Sequence, residues 1–199
     1  MLEKEANKRG LNLTIEHYCV PLPPAIACLA GRHINEADYA AGPENATWMN
    51  VVASGLTTHG QLSACWDRLF QLARLPLTGD DGSAIFFCVR RWVPSVAFPY
   101  IDGEHPEFQC ERGIIYDNGG WEGQTHLSSQ IVHELLHLYG AVDLAPGKSH
   151  HSVTEYANKN LDDIMHTPTQ RPLEQYKIGD LTGYLIGWSG TRPECLMGA

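Results

Sequence analysis

The residues best suited to chemistry lie close together in residues 133–143, which read HELLHLYGAVD. His133 and His137 are four positions apart, so on an α-helix their imidazoles share one face, about 6 Å apart along the axis. Two imidazoles in that arrangement can bind one metal ion. Glu134 lies about 100° around the helix from His133, where its carboxylate can reach a metal-bound water without becoming a ligand. The spacing therefore predicts a metal site with Glu134 as its general base.

A third ligand is expected shortly after the helix, because catalytic zinc takes three protein ligands and keeps a fourth position for water. Gly140 allows the helix to end and the chain to turn back, since glycine readily adopts backbone conformations with positive φ. Asp143 follows three residues later and then arrives near the two histidines. The pattern predicts one catalytic Zn²⁺ held by His133, His137 and Asp143.

Other residues compete with Asp143 for the third position. Glu155 lies downstream at about the distance where thermolysin-like enzymes place a glutamate ligand. Other histidines near in sequence are His150, His151 and His166. His126 would lie two helical turns from the ion and is expected to be a structural or surface residue. The sequence favours Asp143 and leaves Glu155 as its main rival.

The stretch from His133 to Asp143 resembles the extended zinc-binding helix of the metzincin metallopeptidases. It has the minority form in which aspartate replaces the third histidine, as in the snapalysin-type bacterial enzymes. Residues 163–166, which read DIMH, resemble the metzincin Met-turn, whose methionine lies beneath the metal. The position where several metzincin groups carry a tyrosine is Thr167, so any tyrosine that assists the transition state must come from elsewhere, with Tyr156 as a candidate.

The resemblance covers roughly the C-terminal half and implies a zinc-dependent endopeptidase. Peptide bonds would be hydrolysed by metal-activated water with Glu134 as general base, while Gly140 and Met165 would be structural residues of the site. The short strand at residues 113–117 would be the edge strand above the cleft, and Ile115 and Tyr116 would contact an extended substrate through it.

The resemblance also implies an α+β fold in one metallopeptidase domain over residues 1–199. An upper subdomain, about residues 1–140, would hold an N-terminal twisted sheet with helices and the zinc-binding helix. An irregular lower subdomain, about residues 141–199, would hold the Met-turn and a C-terminal helix.

Local patterns in the sequence predict the elements that must position these residues. Alternating or continuous apolar runs favour strands at residues 11–20, 84–93 and 113–117, the second of them central in a sheet. Steps of three and four favour helices at residues 62–73, at residues 127–139 and from Leu173 to Trp188. Candidate N-caps of the middle helix are Thr125, Ser128 and Ser129. Residues 141–170 show no sustained period and are expected to form a loop held by specific contacts.

Composition restricts the class of partner. The 199 residues suit one domain, and the apolar fraction of 43% is ordinary for a globular protein. A formal charge of −9 argues against a nucleic-acid or anionic-membrane surface, because counterion release would oppose association. No apolar run is long enough for a membrane span. The expected partner is a protein or peptide substrate.

The cysteines and the N-terminus bear on the compartment. Six cysteines without a C-x-x-C pair argue against a thiolate zinc ribbon and leave disulfides open. The charged N-terminus lacks the apolar core of a signal peptide, so either the chain is a mature or excised segment or it leaves the cell by another route. We expect an extracytoplasmic location. One interpretation is an antibacterial or host-directed effector domain, as part of a larger secreted protein. Another is a catalytically silent zinc-binding module, which the intact Glu134 disfavours.

Overall fold

The computed structural model describes residues 1–17, 84–89, 95–98, 111–116, 126–144, 151–166 and 171–196. The helices there are α1 (Leu2–Lys8), α2 (Leu127–Leu138), α3 (His151–Lys159) and α4 (Asp180–Leu185), and the strands are β1 (Ala84–Val89), β2 (Val96–Phe98) and β3 (Glu111–Tyr116). Short 3-10 turns occupy Leu173–Gln175 and Glu194–Leu196. Helices combined with a small sheet confirm the α+β class at this coarse level. The predicted helix at residues 62–73 lies outside the described residues.

The three described strands form one sheet in the order β1-β3-β2. Strand β2 runs antiparallel to β3, with Val96 opposite Ile114. The prediction that β3 is an edge strand is therefore wrong, because it has a neighbour on each side. The physical reason is its apolar run, since Ile114, Ile115 and Tyr116 are all buried, as suits an inner strand. Substrate contact by Ile115 and Tyr116 stays a prediction.

The chain divides into two compact units. The first consists of Met1–Ile15, Cys88–Pro99 and Arg112–Ala199, and the second of Glu16–Phe87 and Tyr100–Glu111. The first unit contains residues on both sides of Gly140, as well as every residue predicted for the metal site. One metallopeptidase domain over residues 1–199 stays a prediction.

The core of the first unit surrounds helix α2 and the segments that follow it. Its most deeply buried side chains are Leu136, Leu144, Ile164, Met165, Ile178 and Leu181. Burying one large aliphatic side chain contributes about 1.5–3 kcal/mol. The apolar face of α2 and the region around residues 163–166 are thus held in one core.

The N-terminal segment differs from its prediction. Residues 2–8 form α1, and residues 11–17 have no regular structure, so the predicted strand is wrong in its described part. Helix α1 places Leu2 in the core, and the Arg9 guanidinium donates to the carbonyl oxygen of Ile178 at 2.6 Å. The N–H of Ile15 donates to the Glu3 carboxylate at 2.9 Å instead of pairing in a sheet.

Two C-terminal predictions also need correction. Helix α3 lies inside the predicted loop, because Val153 and Ala157, four residues apart, bury one helical face in the core. The predicted C-terminal helix is shorter, since Lys177 forms an isolated parallel bridge with Asp163 and α4 begins only at Asp180. Within the described part of the chain, no helix is long and apolar enough to cross a membrane.

Candidate metal centre

Helix α2 carries the first two candidate ligands and ends as the sequence predicts. It runs from Leu127 to Leu138, and the N–H of Ala141 donates back to the carbonyl of Leu136 at 3.1 Å. Gly140 has a φ of +94°, which residues with a Cβ rarely adopt. The chain therefore turns at Gly140, and Asp143 comes back beside the helix.

Three donor atoms meet at this turn. The Nε2 atoms of His133 and His137 are 3.1 Å apart. Asp143 Oδ1 lies 3.1 Å from Nε2 of His133 and 3.4 Å from Nε2 of His137. The predicted group is thus brought together, and it could hold a metal ion.

The other ring nitrogen of each histidine faces a backbone carbonyl. Nδ1 of His133 lies 3.1 Å from the oxygen of Ile164, and Nδ1 of His137 lies 2.8 Å from the oxygen of Ala141. Carbonyl oxygens only accept, so each Nδ1 must carry the proton. Each neutral imidazole then presents the lone pair of its Nε2 to the centre, which is the usual orientation of a metal-binding histidine.

This arrangement concentrates negative potential. Two Nε2 lone pairs and one carboxylate oxygen converge, and neutral imidazoles supply no proton to lie between them. Burial lowers the pKa of His137, but the hydrogen bond to Asp143, the hydrogen bond to the Ala141 carbonyl and the charges of Glu134 and Asp143 outweigh it, so the pKa is raised. The centre therefore favours a cation, either a proton on His137 or a metal ion.

The spacing of the donors fits a metal ion. Zinc–ligand bonds of 2.0–2.1 Å in a tetrahedron put ligand atoms about 3.3 Å apart. The three observed separations of 3.1, 3.1 and 3.4 Å bracket that value. Three ligands on one face of the ion also leave a fourth position, as a catalytic site requires.

No protein-family model, curated protein or solved structure matches this chain. Glu134 directly follows the candidate ligand His133 and is only 6% exposed. Its charge contributes to the raised pKa of His137.

Residues 163–166, here called the 163–166 turn, form hydrogen bonds with both segments that carry the candidate ligands. The N–H of His166 donates to the carbonyl of Asp163 at 3.0 Å and closes the turn. The carbonyl of Ile164 accepts from His133, and the carbonyl of Met165 accepts from the N–H of Leu144 at 2.9 Å. Met165 itself is fully buried in the core.

The carboxylate of Asp163 stabilises the 163–166 turn through hydrogen bonds. Sequence reasoning did not identify Asp163 as a functional residue. It accepts from the N–H of Met165 at 2.9 Å, from the N–H of Gly179 at 3.0 Å and from the hydroxyl of Thr182 at 2.9 and 3.1 Å. Burial raises the pKa of Asp163, and these hydrogen bonds oppose that rise. Its partners lie up to 19 residues away, so no local signal could have revealed this role.

The competing candidates lie elsewhere. Glu155 is 74% exposed and pairs with Lys159 at 2.7 Å, so it does not belong to the group. His126 occupies the N-cap position of α2. His166 is buried, and neither ring nitrogen has a hydrogen-bond partner among the described residues. His150 and the side chain of His151 lie outside the described residues.

Tyr156, the candidate for a transition-state tyrosine, contacts the Asp163 network. Its hydroxyl accepts from the N–H of Leu181 at 3.1 Å. Burial raises its pKa to about 12, with smaller contributions from the charges of Asp163 and Asp180. The hydroxyl therefore belongs to the contacts between α3 and α4 that surround the 163–166 turn.

Proposed function

We propose that this chain is a zinc-dependent endopeptidase that hydrolyses peptide bonds with Glu134 as general base. One observation carries the proposal. The donor atoms of His133, His137 and Asp143 converge at metal-binding separations, and the buried Glu134 directly follows His133 on the same helix. A site that only stored a metal would have no need of a buried glutamate directly after its first ligand.

When bound, zinc would supply Lewis acidity that polarises the scissile carbonyl and lowers the pKa of water toward about 7. His133 and His137 would hold the ion through Nε2, and Asp143 through Oδ1. Glu134 would take a proton from the attacking water and then pass it to the amine that leaves. Its burial supports that role, because bulk water has little access to the carboxylate.

The metzincin-like fold is part of the same proposal. In it, α2 is the zinc-binding helix and the 163–166 turn is the Met-turn, with Met165 beneath the metal. The contacts of Ile164 and Met165 with the two ligand-bearing segments support this interpretation. An extracytoplasmic location, including delivery as an effector, belongs to the proposal as well and rests on the sequence alone.

Two histidines and one carboxylate also occur as the facial triad of Fe(II) oxygenases. A face of an octahedron with bonds of about 2.1 Å has edges of about 3.0 Å, close to the observed separations. The buried carboxylate of Glu134 favours the hydrolase, because activation of water requires a base at this position. Elemental analysis of the purified protein distinguishes bound zinc from bound iron.

The decisive experiment compares wild type, Glu134→Gln and Glu155→Gln. Each is analysed for zinc per chain and for cleavage of a reduced, alkylated protein substrate. Glu155 is exposed and serves as a matched control for the loss of a glutamate charge. We expect about one zinc in all three proteins and cleavage by all except Glu134→Gln. Zinc binding with full activity in Glu134→Gln contradicts the mechanism, and inactivity of the wild type with bound zinc favours a silent zinc module.

A further inference from the structure

One peptide group lies between a buried carboxylate and a candidate metal ligand. The C=O of Ile164 and the N–H of Met165 belong to the same peptide bond. The C=O accepts from Nδ1 of His133 at 3.1 Å, and the N–H donates to Oδ1 of Asp163 at 2.9 Å. Asp163, the peptide and His133 therefore form one continuous chain of hydrogen bonds that ends at the metal position.

The carboxylate at the far end of this chain is surrounded by hydrogen-bond donors. Asp163 is fully buried, and both of its oxygens accept hydrogen bonds from the Thr182 hydroxyl and from backbone N–H groups of Met165 and Gly179. Backbone N–H groups can only donate, and the Met165 and Gly179 N–H groups use one oxygen each, so both Asp163 oxygens serve as acceptors. Burial raises the pKa of Asp163, and the three hydrogen-bond partners and the charge of Lys177 offset that rise only in part.

We propose that Asp163 is a positioning residue that tunes the metal affinity of His133 through the Ile164–Met165 peptide. This inference rests on the proposed metal site. In many zinc sites a carboxylate accepts directly from the histidine N–H, which fixes the tautomer and raises the basicity of the ligand. Here one peptide is inserted between the carboxylate and the imidazole.

The physical basis is polarisation along the chain. A negative charge at the N–H of the peptide increases the negative charge on its carbonyl oxygen, which strengthens the hydrogen bond from Nδ1 of His133. Nε2 of His133 then becomes a better donor to the ion. His137 has a different partner, the Ala141 carbonyl, and does not share this peptide. The influence of Asp163 is therefore specific to one of the two histidines.

The test uses Asp163→Asn in the full chain, because asparagine keeps the shape and one acceptor but removes the charge. Asp162→Asn is the matched control, since Asp162 is the neighbouring residue, its side chain is 45% exposed and it pairs only with the surface Lys177 among the described residues. Nitrogen-15 and proton NMR of the imidazoles in the metal-free protein reports the Nδ1–H signal of each histidine. Competition with a zinc-binding dye gives the zinc affinity.

In Asp163→Asn we expect the His133 Nδ1–H signal to move upfield while the His137 signal stays in place. Zinc affinity should fall about tenfold, the lower end of the effect of removing an outer partner of a zinc ligand. Asp162→Asn should match the wild type in both measurements. An unchanged His133 signal, or equal shifts of both histidines, overturns the proposal, because a general loosening of the fold would move both.

Two further variants keep the proposal testable if Asp163→Asn does not fold. Thr182→Val removes the hydroxyl that holds the carboxylate, and Thr182→Ser retains it. The valine variant should shift the His133 signal and the serine variant should not; identical spectra for both contradict the proposal. If the wild type binds no zinc, the proposed function fails, yet the NMR comparison still decides whether Asp163 acts on His133.

Discussion

The N–H of Leu144 donates a hydrogen bond to the carbonyl oxygen of Met165 at 2.9 Å. Leu144 directly follows Asp143, and the carbonyl of the preceding turn residue, Ile164, accepts from His133. Two consecutive carbonyls of one turn therefore hold the two segments that carry the candidate ligands. Changes in this turn should alter the stability of the fold and the metal site together.

Met165 should contribute to stability through packing. It is fully buried between core residues, so Met165→Ala should lower the free energy of unfolding by about 2–5 kcal/mol. Met165→Leu conserves volume and should cost less than about 1.5 kcal/mol. Urea unfolding of both variants without metal measures the difference. Equal stability of the two would show that the methionine is not packed as described.

Gly140 should resist substitution because of its backbone conformation. With a φ of +94°, an alanine there would be strained by about 1–2 kcal/mol. Its Cβ would also lie 3.4 Å from the carbonyl oxygen of Leu185. Gly190→Ala is the control, since a Cβ there meets open space. Thermal unfolding should rank Gly140→Ala clearly below Gly190→Ala, and the reverse order would contradict the turn geometry.

Gly179 should be intolerant of a side chain for a different reason. A Cβ at this position would clash with the Asp163 carboxylate and with the Tyr156 hydroxyl. Overpacking of this kind costs about 1–3 kcal/mol, and the displaced carboxylate would loosen its hydrogen bond to Met165. Gly179→Ala should therefore lower both the melting temperature and the zinc affinity. A loss of stability with unchanged zinc affinity would show that Asp163 does not influence the metal site.

His137 should give the metal-free protein a distinctive pH dependence. Its folded pKa is raised above 6.5, so the folded state binds the proton more tightly than the unfolded state. The resulting stability is fully present below pH 6.5 and is lost as the pH rises through the folded pKa. His137→Gln should abolish this dependence in chemical unfolding experiments. Stability that rises with pH over the same window in the wild type, relative to His137→Gln, would contradict the raised pKa.

Zinc should reverse the loss of stability with rising pH, because the ion and the proton compete for Nε2 of His137. Zinc at a hundred times its dissociation constant should stabilise the fold by about 2.7 kcal/mol, and more strongly as the pH rises. Asp143→Asn should lose most of this stabilisation, whereas the exposed Asp162→Asn should keep it. Calorimetric melting with zinc and with a chelator measures both; equal zinc responses of the two variants would remove Asp143 from the ligand set.

Much of the candidate site is local and could be predicted from the sequence. The 3.6-residue period fixes where His133 and His137 lie on α2, and Gly140 ends that helix where the pattern predicts. The approach of Asp143 follows from the same short turn. These relationships depend on neighbours within a few residues, so residue type and spacing are sufficient to predict them.

Predictions failed where a local pattern suits two structures. The resemblance predicted an edge position for β3, but β3 has a neighbour on each side in the described sheet. Alternation predicted a strand at residues 11–20, whereas its described part is irregular and Ile15 bonds to Glu3 of α1. In both cases long-range pairing and burial decided, and these are not encoded in periodicity alone.

The sequence by itself determined a helix with two imidazoles on one face, a carboxylate beside them and a third oxygen donor just beyond its end. Only the tertiary structure decided the tautomer and orientation of the His133 ring, because its Nδ1 partner, Ile164, is 31 residues away in the chain. It also decided that Asp163 lies behind that partner, held by Gly179 and Thr182. Hydrogen bonds between distant segments form only once the core has packed, and no spacing in the sequence specifies them.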